Sequence, residues 1–329
     1  AASNQGIVIK GSNSLDEYAQ VDTFVFDKTG TLTTGVPKIQ RIIAYEGYDD
    51  EEVLRIAACL EEHFYHPIAT AVVKKAEDEG IEHEEMHGKL THVASKGIVS
   101  SIDGKRVVIG SLELLEDEKT IISNEQKAVI EEYSQKYNLL YLSYDGKLIA
   151  IFLIDTPLRG EAIALLKELK EKGKQIVLLT GDTQKRTETI CSLIPFDRVY
   201  TQVKPEQKHQ VIEQLQEEGH HVLMIGDGIN DSAALSLANV GIVMAGASDI
   251  ARQASDILFL NEQLTGLEVL ENITEQLNRQ LDANLKHTVG INSFLMGLGL
   301  IDIVSPSLLA ILHNVTTTFI IGKSLTYIQ

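Results

Sequence analysis

The carboxylate of Asp27 has the most chemistry within its reach. It closes the apolar run Thr23-Phe24-Val25-Phe26 and opens Asp27-Lys28-Thr29-Gly30-Thr31. A strand that ends in Asp sets a carboxylate at the edge of a sheet, where open α/β folds bind ligands. A carboxylate so placed can attack phosphorus and form an aspartyl-phosphate. Lys28 adds positive charge, and Gly30 lets the backbone turn tightly beside a bound group. Two more strand ends have the same character. Val222-Leu223-Met224-Ile225 runs into Gly226-Asp227-Gly228-Ile229-Asn230-Asp231, with Asp227 and Asp231 four apart across a turn that opens a helix. These are hard oxygen ligands for Mg²⁺, which prefers one or two protein carboxylates plus phosphate oxygens and water. Gln175-Ile176-Val177-Leu178-Leu179 runs into Thr180-Gly181-Asp182, where the Thr180 hydroxyl and the Gly181 N–H can hold a phosphoryl group. Lys204, in Val203-Lys204-Pro205, is expected to offset the charge on that group. Alone, each motif is an ordinary turn and Lys204 an ordinary solvated lysine. Their recurrence at three strand ends makes the set catalytic.

The elements that must position these residues read as one domain inserted into another. Beyond residue 150, strands alternate with helices of apolar period 3.6 at 162–172, 207–219 and 231–238. That alternation predicts a mostly parallel sheet with helices on both faces. Residues 38–150 differ in texture. Helices are expected at 51–60 and 67–78, and Asp103-Gly104 and Asp145-Gly146 each sit between strand-like runs as hairpin signals. The predicted fold class is α/β: an outer Rossmann-type domain of residues 12–37 and 151–265, an inserted α+β domain of 38–150, and a helical tail of 266–329.

In the tail, 267–286 is amphipathic, and 288–304 and 308–321 are largely apolar around the break Ser305-Pro306-Ser307. Each apolar run is near the lower bound for crossing a bilayer, roughly 17–25 residues. A transmembrane hairpin is expected, with Lys286 and Lys323 on one, cytoplasmic, side. Polar residues within such spans are functional candidates. Imidazole suits transition metals, so His313 and Asn292 are the expected contacts of a transported ion, while Asp302 is expected at the membrane edge.

Composition narrows the partners. The 329 residues carry a formal net charge of −18, which argues against nucleic acid. The two cysteines, Cys59 and Cys191, are far apart, giving neither a disulfide framework nor a metal-ligand spacing, as fits a reducing cytosol.

The three motifs, in this order, resemble the phosphorylation domain of P-type ATPases, ion pumps of the haloacid dehalogenase-like superfamily. The segment Glu61-Glu62-His63-Phe64-Tyr65-His66-Pro67 resembles the nucleotide domain of the heavy-metal class. The resemblance implies ATP and Mg²⁺ as cofactors, adenine packed on His66, and Glu61, Gly97 and Gly110 at the nucleotide. The family's Gly-x-Gly is Ser95-Lys96-Gly97 here, so Ser95 is expected to crowd the adenine. By the resemblance Asp27 is phosphorylated. Asp27, Asp227 and the Thr29 carbonyl hold Mg²⁺, Asn230 and Asp231 fix its shell, and Lys28, Thr180, Gly181, Asp182 and Lys204 complete the catalytic set. Related phosphatases carry an acid–base Asp where this chain has Thr29, which implies a long-lived phosphoenzyme. Neither Thr-Gly-Glu nor Cys-Pro occurs, so the chain is expected to be the C-terminal part of a pump. The expected partners are ATP, a transition-metal cation, membrane lipid and the remainder of the pump, with the catalytic domains in the cytoplasm. The alternatives are a membrane-anchored phosphatase and a non-catalytic nucleotide-binding partner.

Overall fold

The structure, a computed structural model, describes residues 6–11, 13–45, 47–82, 86–300 and 304–326. In chain order the elements begin with β1 (Ile7–Ile9), α1 (Asn13–Gln20), β2 (Thr23–Asp27) and β3 (Lys38–Ala44). Then come α2 (Asp50–Glu61), α3 (Pro67–Asp78), β4 (Thr91–Val93), β5 (Gly97–Ile102), β6 (Lys105–Gly110), α4 (Leu112–Asp117) and α5 (Asn124–Ser134). Next are β7 (Asn138–Tyr144), β8 (Lys147–Asp155), α6 (Ala162–Glu171), β9 (Gln175–Leu179), α7 (Gln184–Leu193) and β10 (Arg198–Tyr200). The chain continues with α8 (Lys208–Glu217), β11 (Val222–Gly226), α9 (Ser232–Leu237), β12 (Val240–Val243), α10 (Asp249–Ala254) and β13 (Ile257–Phe259). It ends with α11 (Gly266–Leu300) and α12 (Pro306–Thr326).

The mixed α/β fold holds two sheets. A seven-stranded sheet runs β1-β13-β12-β11-β2-β9-β10, and a six-stranded sheet runs β3-β8-β7-β6-β5-β4. By compactness the chain divides into one unit of Ala1–Val25, Gly173–Gln175 and Glu206–Gln329 and another of Phe26–Lys172 and Ile176–Pro205. The boundary falls inside β2, a single strand of the seven-stranded sheet.

The six-stranded sheet is antiparallel throughout. Its two hairpins turn where the sequence predicts, with Asp103 at φ 52° and Asp145 at φ 51°, each followed by a glycine of positive φ. Both of its faces are covered. On β8, Phe152 and Ile154 join the core of α2 and α3, while Ile151 and Leu153 join that of α4 and α5. A strand covered on both sides reads as a continuous apolar run, which is why β8 continues to Asp155. The predicted domain boundary at residue 150 therefore falls within a strand, because Ile151–Ile154 are buried and paired with β3.

The tail also departs from expectation. The amphipathic stretch and the first apolar run form one 35-residue helix, α11, since nothing in the sequence interrupts the helical pattern at 287. Its first turns are buried through Leu267, Leu270 and Thr274, whereas Leu285, Val289, Phe294 and Met296 farther along are exposed. Among the described residues, no helix is long and apolar enough to cross a membrane. Glycines and Asn292-Ser293 dilute α11, and His313-Asn314 and Thr316-Thr317-Thr318 dilute α12. Asp302 lies outside the described residues.

Candidate active site

Strand β2 is buried along its whole length, and Asp27 at its end is 5 % exposed. The chain then turns sharply. Gly30 takes φ 74°, a left-handed conformation, and the Thr33 N–H closes the loop by donating to the Lys28 carbonyl at 3.0 Å. The Thr33 hydroxyl accepts from the Gly30 N–H at 3.2 Å. Arg159, buried, locks the same loop. Its Nε donates to the Thr31 carbonyl at 2.7 Å, its Nη2 to the Gly30 carbonyl at 2.9 Å, and its backbone N–H to the Leu32 carbonyl at 2.9 Å. A guanidinium's fixed fork suits such multiple donation, so the loop after Asp27 is held from behind by a cation. Thr29 itself is exposed.

At the end of β9, Thr180 is buried and Gly181 exposed. The Thr180 hydroxyl accepts from the Asp182 N–H at 3.1 Å, and its own hydrogen is left to donate. Asp182 binds the Lys28 ammonium at 2.5 Å, so these two motif residues neutralise each other.

The loop after β11 carries the acids. Asp231 lies flat against the strand end, and a Cβ on Gly226 would come 2.8 Å from its Oδ2. Glycine is thus required there by close approach. Asp227 and Asp231 each offer an oxygen, and the two oxygens lie within 4.8 Å of each other. Ionised together, charges at that spacing repel by on the order of 3 kcal/mol per pair at an effective dielectric of about 20, so the arrangement favours a cation. A hard divalent ion with oxygen preference fits this donor set. Asn230 is exposed on the same turn.

The cation buried beside these acids is Lys208. Its Nζ lies 2.6 Å from Asp231 Oδ1, with side-chain exposures of 8 % and 2 %. Lys204, expected to offset the phosphoryl charge, is exposed. Sequence reading placed the lysine by nearness to the neighbouring motifs. The detectable signal was helical phase: Lys208 shares a face with Val211, Ile212 and Leu215, a buried stripe that an unpaired lysine does not join. Arg159 was also missed, because its acceptors are backbone carbonyls and leave no mark in sequence.

The six-stranded sheet carries a cleft of about 530 Å³ whose lining includes Glu61, Phe64, His66, Ser95, Gly97 and Gly110. All four residues that the resemblance assigns to a nucleotide (Glu61, His66, Gly97 and Gly110) are therefore neighbours. Gly97 and Gly110 face each other across β5 and β6. A Cβ on Gly97 would lie 2.2 Å from the Ile109 carbonyl, and one on Gly110 would lie 2.2 Å from the Lys96 carbonyl. His66 caps α3, with Nδ1 accepting from the Ile68 N–H at 3.3 Å. Ser95 adopts φ 60°, a conformation that glycine takes at no steric cost. Glu61 is 7 % exposed, and burial pushes its carboxyl up to about 7. In the tail, Asn292 Oδ1 and His313 Nδ1 are 2.8 Å apart beside a cavity of about 460 Å³.

Residues 21–239 match the haloacid dehalogenase-like hydrolase family. The chain is 33 % identical over 324 residues to a zinc-exporting P-type ATPase of Mycobacterium marinum, covering 97 % of this chain and 44 % of that protein. It is 34 % identical over 284 residues to a silver-exporting P-type ATPase of Salmonella typhimurium, covering 85 % and 34 %. A zinc-transporting PIB-type ATPase solved in its E2.Pi state superposes with a TM-score of 0.87 at 25 % identity, over 100 % of this chain and 53 % of that one. The catalytic domain of the CPx-ATPase CopB-B, from work on its changes upon nucleotide binding, gives 0.65 at 29 %, over 82 % and 96 %. The chain spans less than half the length of these curated relatives. With the strand that ends in Asp27, the acidic turn and the helices that hold them all inside the matched span, this chain belongs to the haloacid dehalogenase-like hydrolase family.

Proposed function

We propose that this chain is the catalytic C-terminal part of an ATP-driven transition-metal pump that works through an aspartyl-phosphate at Asp27. The observations that carry the reading are Asp27 buried at the end of β2 and, on the turn after β11, Asp227 and Asp231 with oxygens within 4.8 Å of each other. An Asp27 oxygen attacks the γ-phosphorus in line, the bond to the bridging oxygen breaks, and ADP leaves. Thr180 and the Gly181 N–H receive the equatorial oxygens, and Lys208 balances the acids from behind. Asp27, Asp227 and the Thr29 carbonyl would hold Mg²⁺, with Asn230 and Asp231 around it; when bound, the ion screens the repulsion between nucleophile and phosphate. Arg159 keeps the nucleophile loop in register. Thr29 cannot carry a proton as a carboxylate would, so water is poorly activated and the acyl-phosphate persists, as a pump's cycle requires.

Adenine sits in the cleft of Glu61, His66, Gly97 and Gly110. In the tail, the outward apolar side chains of α11 and α12 face lipid and the helices of the rest of the pump. Asn292 and His313 contact the metal in transit, since imidazole is a transition-metal ligand. The names of the relatives support a metal cargo.

The test is acid-stable labelling with γ-labelled ATP and Mg²⁺. The wild-type chain should take up a hydroxylamine-sensitive label, and Asp27→Asn should take up none. A label retained in Asp27→Asn would refute the nucleophile, and steady phosphate release from small phosphoesters without ATP would favour a phosphatase.

A further inference from the structure

We infer that Glu61 holds the nucleotide as a carboxylate and surrenders its own proton to do so, so that nucleotide capture by this chain releases H⁺ and tightens as pH rises. This deepens the nucleotide reading of the cleft and rests on it.

The geometry carries the inference. Glu61 is the last residue of α2, 7 % exposed, and it lines the cleft among Phe64, Ile68, Ala69 and Leu140. Among the described residues its carboxyl group has no ion-pair partner. The other titratable groups of the lining are Tyr65, His66, His92 and Lys96, and none of them forms an ion pair with Glu61. Tyr65 points wholly into solvent. His66 Nδ1 accepts from the Ile68 N–H at 3.3 Å. His92 is stacked on Phe64, with centroids 5.4 Å apart. Lys96 is held by Glu113 at 2.7 Å and Asp117 at 2.6 Å. Gly110, Ser111, Leu139 and Leu140 bring no charge.

A carboxylate buried without donors is costly, so the empty cleft favours the neutral acid, and burial accordingly raises Glu61 to about 7. An exocyclic amine on a nucleobase brings the missing N–H donors, and hydrogen bonds to the charged form favour that form. On binding, the Glu61 O–H bond breaks, the proton passes to buffer, and the freed oxygen accepts the amine N–H. A base with a carbonyl at the same position offers no donor and sets oxygen against oxygen.

The experiment is calorimetric titration of the purified chain with Mg²⁺ and β,γ-methylene-ATP near pH 6, 7 and 8, each in two buffers of different ionisation enthalpy. Affinity should fall about tenfold from pH 8 to pH 6, because about one tenth of the empty cleft's Glu61 is ionised at the lower pH. Close to one proton should leave per nucleotide bound near pH 6. Glu61→Gln should bind with no proton release and a flat profile, and His66→Gln should keep the release. Wild-type binding with no proton release, or the same pH profile in Glu61→Gln, would overturn the inference while leaving the nucleotide reading intact. No binding at any pH would remove both.

Discussion

At the carboxyl end of β11 a deeply buried acid comes with a buried base: Asp231 and Lys208 are paired at 2.6 Å. In the cleft beside α2, Glu61 is buried almost as completely and, among the described residues, has no paired cation. The two regions belong to one chain, yet they handle the cost of an interior charge in opposite ways. A paired charge is held in one geometry, which suits the cation and phosphoryl site proposed for this turn. An unpaired charge is left to be set by whatever enters the cavity, which suits a site that must register arrival and departure. The difference separates charge as architecture from charge as a response.

The contrast is most easily broken at Lys208. Removing one member of a buried ion pair leaves the other uncompensated and costs roughly 3–5 kcal/mol. Lys208→Ala should therefore destabilise the chain by about that amount in chemical denaturation and abolish acyl-phosphate labelling. Lys204→Ala, at an exposed position, should stay within about 0.5 kcal/mol. Equal effects of the two substitutions would show that the buried pair does not do what its geometry implies.

At Glu61 the sign reverses. The carboxyl's value rises from an ordinary 4.5 to about 7 on folding, so the folded state binds the proton more tightly than the unfolded chain. Stability is therefore greatest below the unfolded value, falls as pH climbs through that window, and levels off above about 7. Glutamine has no proton to lose. Glu61→Gln should match the wild type near pH 4 and exceed it by roughly 3 kcal/mol near pH 8. Denaturant midpoints across that range decide the matter, and a constant difference would mean that Glu61 has a partner in solution.

The sequence exposes the strand-end motifs because each is an apolar run cut short by Asp, Thr or Gly, and that pattern depends only on local chemistry. Asp27, Thr180 and Asp227 stand at strand ends for that reason. The cleft is legible only through resemblance, since Gly97 and Gly110 are adjacent by cross-strand register, which no spacing along the chain encodes. Lys208 is legible only through helical phase, which sets it on one face of α8 with Val211, Ile212 and Leu215. Arg159 was invisible because backbone carbonyls are the same in every sequence. The continuity of α11 through residue 287 is unmarked in sequence for a related reason. A strand covered on both faces and a helix of mixed polarity carry no punctuation, so only tertiary pairing fixes where they stop.

Ser95 gives the smallest effect and the finest test of the contrast. Its φ of 60° is tolerated rather than favoured by a side chain, and a non-glycine residue held there costs on the order of 1 kcal/mol. The turn has little freedom to relax, because the Lys96 N–H donates to the Val93 carbonyl at 3.0 Å and the Ser111 N–H to the Lys96 carbonyl at 2.7 Å. Ser95→Gly should therefore stabilise the fold by up to about 1 kcal/mol, less what glycine loses through greater freedom in the unfolded chain. If Ser95 crowds the adenine, the same change also tightens nucleotide binding, by a few-fold and equally at every pH, because a steric term carries no proton. A Ser95→Gly effect that grew toward low pH would instead couple this turn to the ionisation of Glu61, and would make the cleft's response a property of its whole rim rather than of one carboxyl group.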